Sequence, residues 1–141
     1  MKITAIRLRE VTGAMPFEGV FWEDRVLRPI DVYPEYAART AGAEISSPQV
    51  TDDGRHIIRA VFLTIETDEG VSGLAGPITP EIAYSIHHEF SSFLIGENPL
   101  ATERIWDLLY RSAVHGRKGV AMMAISAIDC ALWDLKGNWA N

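Results

Sequence analysis

The 141-residue sequence lacks what several kinds of protein require. It holds one cysteine, Cys130, so no intrachain disulfide can form, which fits a reducing cytoplasm. Its 13 lysines and arginines are scattered and outnumbered by 19 acids. The resulting net charge of −6 argues against a nucleic-acid partner, whose phosphates need clustered basic residues. No run approaches the roughly 18 to 20 uninterrupted apolar residues of a membrane span. Met1-Lys2-Ile3-Thr4 lacks the basic run and apolar core of a signal peptide. A soluble, cytoplasmic protein is the expectation. Also missing are a Gly-rich phosphate loop, zinc-ligand spacing, a nucleophile elbow, an internal repeat and any low-complexity tract. The glycines of Gly70-Val-Ser-Gly73-Leu-Ala-Gly76 do not make a dinucleotide fingerprint, because they fall in the return strand of a hairpin and do not join a parallel strand to a helix.

What the sequence does contain is ordinary for one globular domain: 48% hydrophobic and 23% charged residues, enough for one core and too few for two. Residues 2 to 11 alternate Ile6 and Leu8 with Arg7 and Arg9, the period of a half-buried strand. His56–Thr67 is rich in β-branched and aromatic residues, and Asp68-Glu69-Gly70 followed by 71–76 supplies the turn and return strand of a hairpin. Thr79-Pro80-Glu81 reads as an N-cap, a proline at the first helical position and a first-turn acid, opening a helix to about Leu94. A second helix is predicted from about Leu100 to Ser112, with Ile105, Trp106, Leu108 and Leu109 at helical spacing. Gly116 and Gly119 separate it from a terminal helix over 119–137. Strands grouped before helices predict an α+β fold, a three-stranded antiparallel β-meander followed by about three helices.

The terminal helix is apolar on nearly every side, and such a helix must be buried all round. Either the rest of the domain wraps it, or the natural partner of its outer surface lies outside this sequence. Within it Cys130 reads as a small buried hydrophobe. Asp129 sits among Ile125, Ile128, Ala131 and Leu132, where an unpaired carboxylate is expensive. A structural carboxylate paired with an arginine or with backbone donors is the favoured reading, and a perturbed acid is the alternative. Asp134 and Lys136 read as the wet edge of the helix.

From Thr12 to about Gly54 the periodicity dissolves among glycines and prolines. Long loops of this kind more often carry function than merely connect, and the aromatics Phe17, Phe21, Trp22, Tyr33 and Tyr36 argue against disorder. Phe21, Trp22, Arg25, Arg28 and Arg39 suit a lid over a small anionic substrate, since arginine binds a carboxylate in bidentate fashion. Equally, the aromatics could do no more than pin the loop to the sheet. His87 and His88 are neighbours on a helix, about 100° apart, and cannot share a metal; they read as solvated surface residues, and His115 as a C-terminal helix cap or an exposed loop residue.

The Met-Lys-Ile-Thr first strand, the Thr-Ile-Glu-Thr-Asp-Glu-Gly-Val-Ser-Gly hairpin and above all Ala127-Ile-Asp-Cys-Ala-Leu-Trp-Asp-Leu-Lys-Gly137 resemble the N-terminal capping domain of the enolase superfamily, in its mandelate racemase and muconate lactonizing enzyme branch. The similarity covers essentially the whole chain, which would be a single capping domain over 1–141 with the C-terminal barrel domain absent. Phe21-Trp-Glu-Asp-Arg, Pro29 and Tyr33-Pro-Glu-Tyr36 look most like the rhamnonate-type acid-sugar dehydratases. One departure stands out: such relatives tend to have a histidine where Phe21 stands, and phenylalanine cannot hydrogen-bond a sugar hydroxyl, which points to a less polar or shorter substrate.

The resemblance implies a Mg²⁺-dependent lyase or isomerase as the full-length protein, with a barrel base removing the proton α to a carboxylate. It implies that catalytic residues and metal ligands are not in this chain, and that its part is closure and specificity, with Phe21, Trp22, Arg25 and Arg39 as the substrate-binding candidates. The implied partners are a carboxylate small molecule such as an acid sugar, the barrel domain and further copies in a homo-oligomer. The competing reading is a free-standing non-catalytic module that oligomerises or binds another protein through its terminal helix.

Overall fold

The computed structural model describes residues 1–18, 29–36 and 50–141. The chain forms two units, one made of Met1–Val11 and Ala60–Asn141, the other of Thr12–Arg59. Three strands, β1 (Ile3–Met15), β2 (His56–Thr67) and β3 (Ser72–Ile78), form one sheet in the order β1-β2-β3. Asp68 N donates to Lys2 O, and Thr4 Oγ1 donates to Glu66 O. Partners that move in opposite directions along the chain make β1 and β2 antiparallel. β2 and β3 are antiparallel as well, with Leu63 opposite Ala75 and Ile65 opposite Gly73.

The hairpin forms where its turn residues stand. Gly70 N donates to Thr67 O, and Gly70 has φ +78°, the left-handed conformation that glycine adopts without a Cβ penalty. Further along, Leu63 faces Ala75 but Val61 faces Ile78, so β3 carries one residue more than β2 at Gly76-Pro77, a bulge that bends the strand. Arg7 and Arg9 are exposed while Ile6 and Leu8 pack against the core, as the alternation predicts. Arg7 Nε lies 2.6 Å from Glu66 Oε1, and this hydrogen bond holds the Glu66 carboxyl below its ordinary range.

Three helical stretches cover one face of the sheet. In the first, α1, the α-helical turns Pro80–Ser85 and Ser91–Leu94 flank a π-helical segment, Ile86–Phe90. Thr79 caps it, accepting from Ile82 N, and Gly96 at φ +88° ends it. Helices α2 (Thr102–Ser112) and α3 (Val120–Ala140) follow. The core joins Ile3, Leu63 and Ile65 of the sheet to Ile86, Phe90 and Leu94 of α1, Ile105 and Leu109 of α2, and Ile125, Ile128, Leu132 and Leu135 of α3. The architecture is α+β.

Three expectations need correction. β1 continues to Met15, four residues beyond the expected end. Helix α3 runs through Gly137 to Ala140, three residues beyond the expected end. Of the two readings of α3, the rest of the domain does not wrap it: Ala124, Ile125, Ile128, Ala131, Leu132 and Leu135 form a single buried stripe, while Met123, Trp133 and Trp139 are more than half exposed. Cys130 belongs to the exposed side. Average hydropathy cannot choose a face when every face is apolar; contact with the sheet makes the choice.

Pro29–Val32 form a 3₁₀ turn, and Tyr33 and Tyr36 meet edge to face at 6.3 Å between centroids. Val50 bridges His56, and Thr51, Asp53 and Arg55 close the turn between them: Thr51 Oγ1 donates to Asp53, and Arg55 Nε donates to Asp53 Oδ2 at 2.7 Å.

Candidate functional site

The predicted substrate-binding residues Phe21, Trp22, Arg25 and Arg39 all lie outside the described residues. Phe17, close in sequence, packs edge to face against His56 at 6.4 Å between centroids, so at least one aromatic of the long segment is held by its own unit. His87, His88 and His115 are exposed; His88 stacks on Tyr84 at 5.3 Å.

Two features of the described surface carry chemical information. The first is the joint between α3 and β3. Gly73 and Ala75 turn toward the helix and are buried, and a Cβ at Gly73 would stand 2.6 Å from Leu135 Cβ and N and closer still to Ala131 O. Glycine is required because the helix backbone lies against the strand. Beside this contact Asp134 Oδ2 accepts the Leu74 N–H at 2.8 Å and Asn138 Nδ2 at 3.2 Å, and Asn138 Nδ2 also donates to Ser72 O at 3.0 Å. The outer strand of the sheet thus has donors and acceptors met by side chains of α3, which protects an edge that would otherwise be open to pairing. Asp134 remains exposed, as expected for a wet edge, but it is also a structural acceptor. A carboxylate four residues before Asn138 was the signal for this pairing, and it becomes legible only once the strand is known to lie alongside.

The second feature is a groove of about 260 Å³ between α2 and α3, lined by Thr102, Glu103, Trp106, Asp129 and Trp133. Trp106 stacks on Tyr110 with centroids 4.8 Å apart, and the Arg117 guanidinium lies 5.3 Å from the Tyr110 centroid. Lys136 Nζ lies 4.5 Å from the centroid of Trp133. The partner expected for Asp129 is not found: among the described residues it makes no hydrogen bond and no ion pair. Its carboxyl is half-buried, and burial pushes it above the ordinary carboxylate range. Helix spacing explains the grouping, since Asp129 and Trp133 lie four residues apart and Glu103 and Trp106 three apart, each pair on one helix face.

Among the described residues no three His, Cys, Asp or Glu side chains converge closely enough to hold a metal ion, and no helix is long and apolar enough to cross a membrane. What this surface can do is pack against, and hydrogen-bond to, something that covers it.

Comparison with known proteins gives that surface a context. Residues 39–141 match the model of the mandelate racemase / muconate lactonizing enzyme N-terminal domain. A D-galactonate dehydratase from Pectobacterium atrosepticum is 43% identical over 82 residues, which cover 56% of this chain and 22% of that protein. Among solved structures, the 3,6-anhydro-D-galactonate cycloisomerase from Zobellia galactanivorans matches all of this chain and 30% of its own length, at 24% identity and a TM-score of 0.63. A D-glucarate dehydratase from Agrobacterium tumefaciens, solved with magnesium, matches 99% of this chain and 30% of its own, at 21% identity and a TM-score of 0.61. These structures share the fold of the chain, which spans about a fifth of the length of the curated relative.

Proposed function

Because the chain belongs to the mandelate racemase / muconate lactonizing enzyme N-terminal domain family, we propose that it is the capping domain of an acid-sugar dehydratase, supplying closure and substrate selection. The observation that carries this reading is the 43% identity to a D-galactonate dehydratase over more than half of the chain. In the reaction proposed, a base removes the proton α to the substrate carboxylate, the β-hydroxyl leaves as water, and the enol tautomerises to a 2-oxo-3-deoxy acid. Mg²⁺ would supply Lewis-acid stabilisation of the enediolate. The described residues offer no set that fits the metal; its ligands and the base are proposed to lie in the barrel domain.

The chain's own contribution is then physical. Phe21, Trp22, Arg25 and Arg39 form the substrate-facing part of a lid, in which arginine pairs with an anionic or hydroxyl-rich end and the aromatics exclude water. Closure of this kind both shields a reactive intermediate and sets specificity. The exposed apolar residues of α3, Met123, Trp133 and Trp139, suit a surface that is covered by the barrel domain. Such exposure suits an interaction site, and a homo-oligomer is compatible with it. Assaying the polypeptide that joins this chain to its barrel, with D-galactonate and related acid sugars and Mg²⁺, tests the proposal. Formation of a 2-oxo-3-deoxy acid is expected. Racemisation or cycloisomerisation without water loss would replace the dehydratase assignment and keep the capping role.

A further inference from the structure

The groove between α2 and α3 combines features that all favour one kind of occupant. Its walls are the indoles of Trp106 and Trp133, 39% and 54% exposed. Asp129 and Glu103 face the same space, and among the described residues neither makes a hydrogen bond or an ion pair. A half-buried carboxylate with no partner is costly. Indole faces carry negative potential and attract cations. Both effects are relieved by a positive charge placed between the rings and against the carboxylate. The surroundings already use such contacts: Lys136 sits over Trp133, and Arg117 over Tyr110, which stacks on Trp106. Neither cation reaches Asp129 or Glu103 as an ion pair.

We propose that this groove is a guanidinium site, in which an arginine side chain from a protein segment docked on the α2–α3 face inserts between Trp106 and Trp133 and pairs with Asp129. Guanidinium fits better than ammonium. It is planar, more weakly hydrated, stacks on aromatic faces and binds a carboxylate through two parallel hydrogen bonds. The groove, about 260 Å³, has room for the group and part of its alkyl stem. Thr102, itself buried, also lines the groove, and the chain's net charge of −6 favours the approach of a basic segment. The inference rests on the reading that a protein surface covers this face, and on nothing about the reaction.

The test follows the indole N–H resonances of Trp106 and Trp133 in the ¹⁵N-labelled 141-residue chain during titration with acetylated, amidated tripeptides carrying a central arginine, lysine or leucine between glycines. Saturable shifts of both indoles are expected with the arginine peptide, weaker binding with lysine and none with leucine. Asp129→Asn is expected to weaken arginine binding by about tenfold, the loss of one charge-assisted pair. Trp133→Leu is expected to abolish the Trp106 shift. If Asp129→Asn disturbs the fold, Trp133→Leu carries the decision alone, because that side chain is largely exposed. Equal shifts with the leucine peptide, unchanged affinity in both variants, or no saturation below about 100 mM would overturn the proposal. Because dehydratase turnover is a separate readout, a failed peptide titration leaves the capping assignment standing, and a failed turnover assay leaves the guanidinium site standing.

Discussion

Asp134 Oδ2 accepts the backbone N–H of Leu74 at 2.8 Å, a side chain of the last helix bonded to the outer strand of the sheet, 60 residues earlier. The same oxygen accepts from Asn138, which itself donates to Ser72 O. Removing the acceptor leaves the Leu74 donor to water. Asp134→Ala is therefore expected to destabilise the fold by about 1 kcal/mol, the usual net worth of such a bond at a partly wet site. Amide hydrogen exchange at Leu74 should accelerate in the variant, while exchange in the hydrogen-bonded centre of β2 follows only the change in global stability.

Two glycines of very different surroundings give a paired prediction. Gly73 has no room for a Cβ against Ala131 O and Leu135, so Gly73→Ala must push α3 off the sheet and is expected to cost about 2 kcal/mol or more. Gly137 lies within α3 with nothing within 4 Å of its Cβ position. Gly137→Ala is expected to stabilise by up to about 1 kcal/mol through helix propensity. Urea denaturation of the two variants, read as midpoint shifts of opposite sign, checks both.

Asp129 should be stabilising to remove. Its carboxyl is raised in the fold by burial, so between the unfolded and folded pKa values the native state holds the proton more tightly than the unfolded chain. Stability then falls as pH rises through that window. Asp129→Asn removes the penalty. Its melting temperature is expected to exceed that of the parent chain at pH 7, and the gain should vanish as pH drops below the ordinary carboxylate range. A gain independent of pH would point to packing and not to charge.

The lid assignment predicts a kinetic signature in the joined enzyme. Arg25→Ala is expected to lower kcat/KM for an acid sugar by about 10- to 100-fold, the worth of one hydrogen-bonded charge pair, with thermal stability unchanged. Trp22→Ala should act in the same direction. An unaltered kcat/KM in both variants would move substrate selection to other residues.

Much of the fold is legible because its signals are local. Asp68-Glu69-Gly70 specifies a turn through one left-handed residue, and Thr79-Pro80-Glu81 marks a helix start by capping chemistry that depends on no distant contact. The family resemblance is legible for the same reason, carried by the contiguous run from Ala127 to Gly137. The features that are not legible depend on contacts distant in sequence. Hydropathy cannot tell which side of α3 meets the sheet, so Cys130 reads as a buried hydrophobe and lies at the surface. Asp134 reads as a solvated residue until Leu74 is beside it. The groove needs Trp106 and Asp129 from two helices, and no spacing rule joins them. The bulge at Gly76-Pro77 lengthens β3 by one residue against its partner, which only the pairing register reveals. The loop candidates Phe21, Trp22, Arg25 and Arg39 lie outside the described residues and stand as a proposal.

The capping role proposed for this chain places the chemistry in a catalytic domain that it covers. Its most direct test measures 2-oxo-3-deoxy acid formation from D-galactonate and related acid sugars in the presence of Mg²⁺, for the 141-residue chain alone and for the same chain joined to its barrel. Turnover is expected from the joined protein and none from the chain alone. Turnover by the isolated chain would contradict that role.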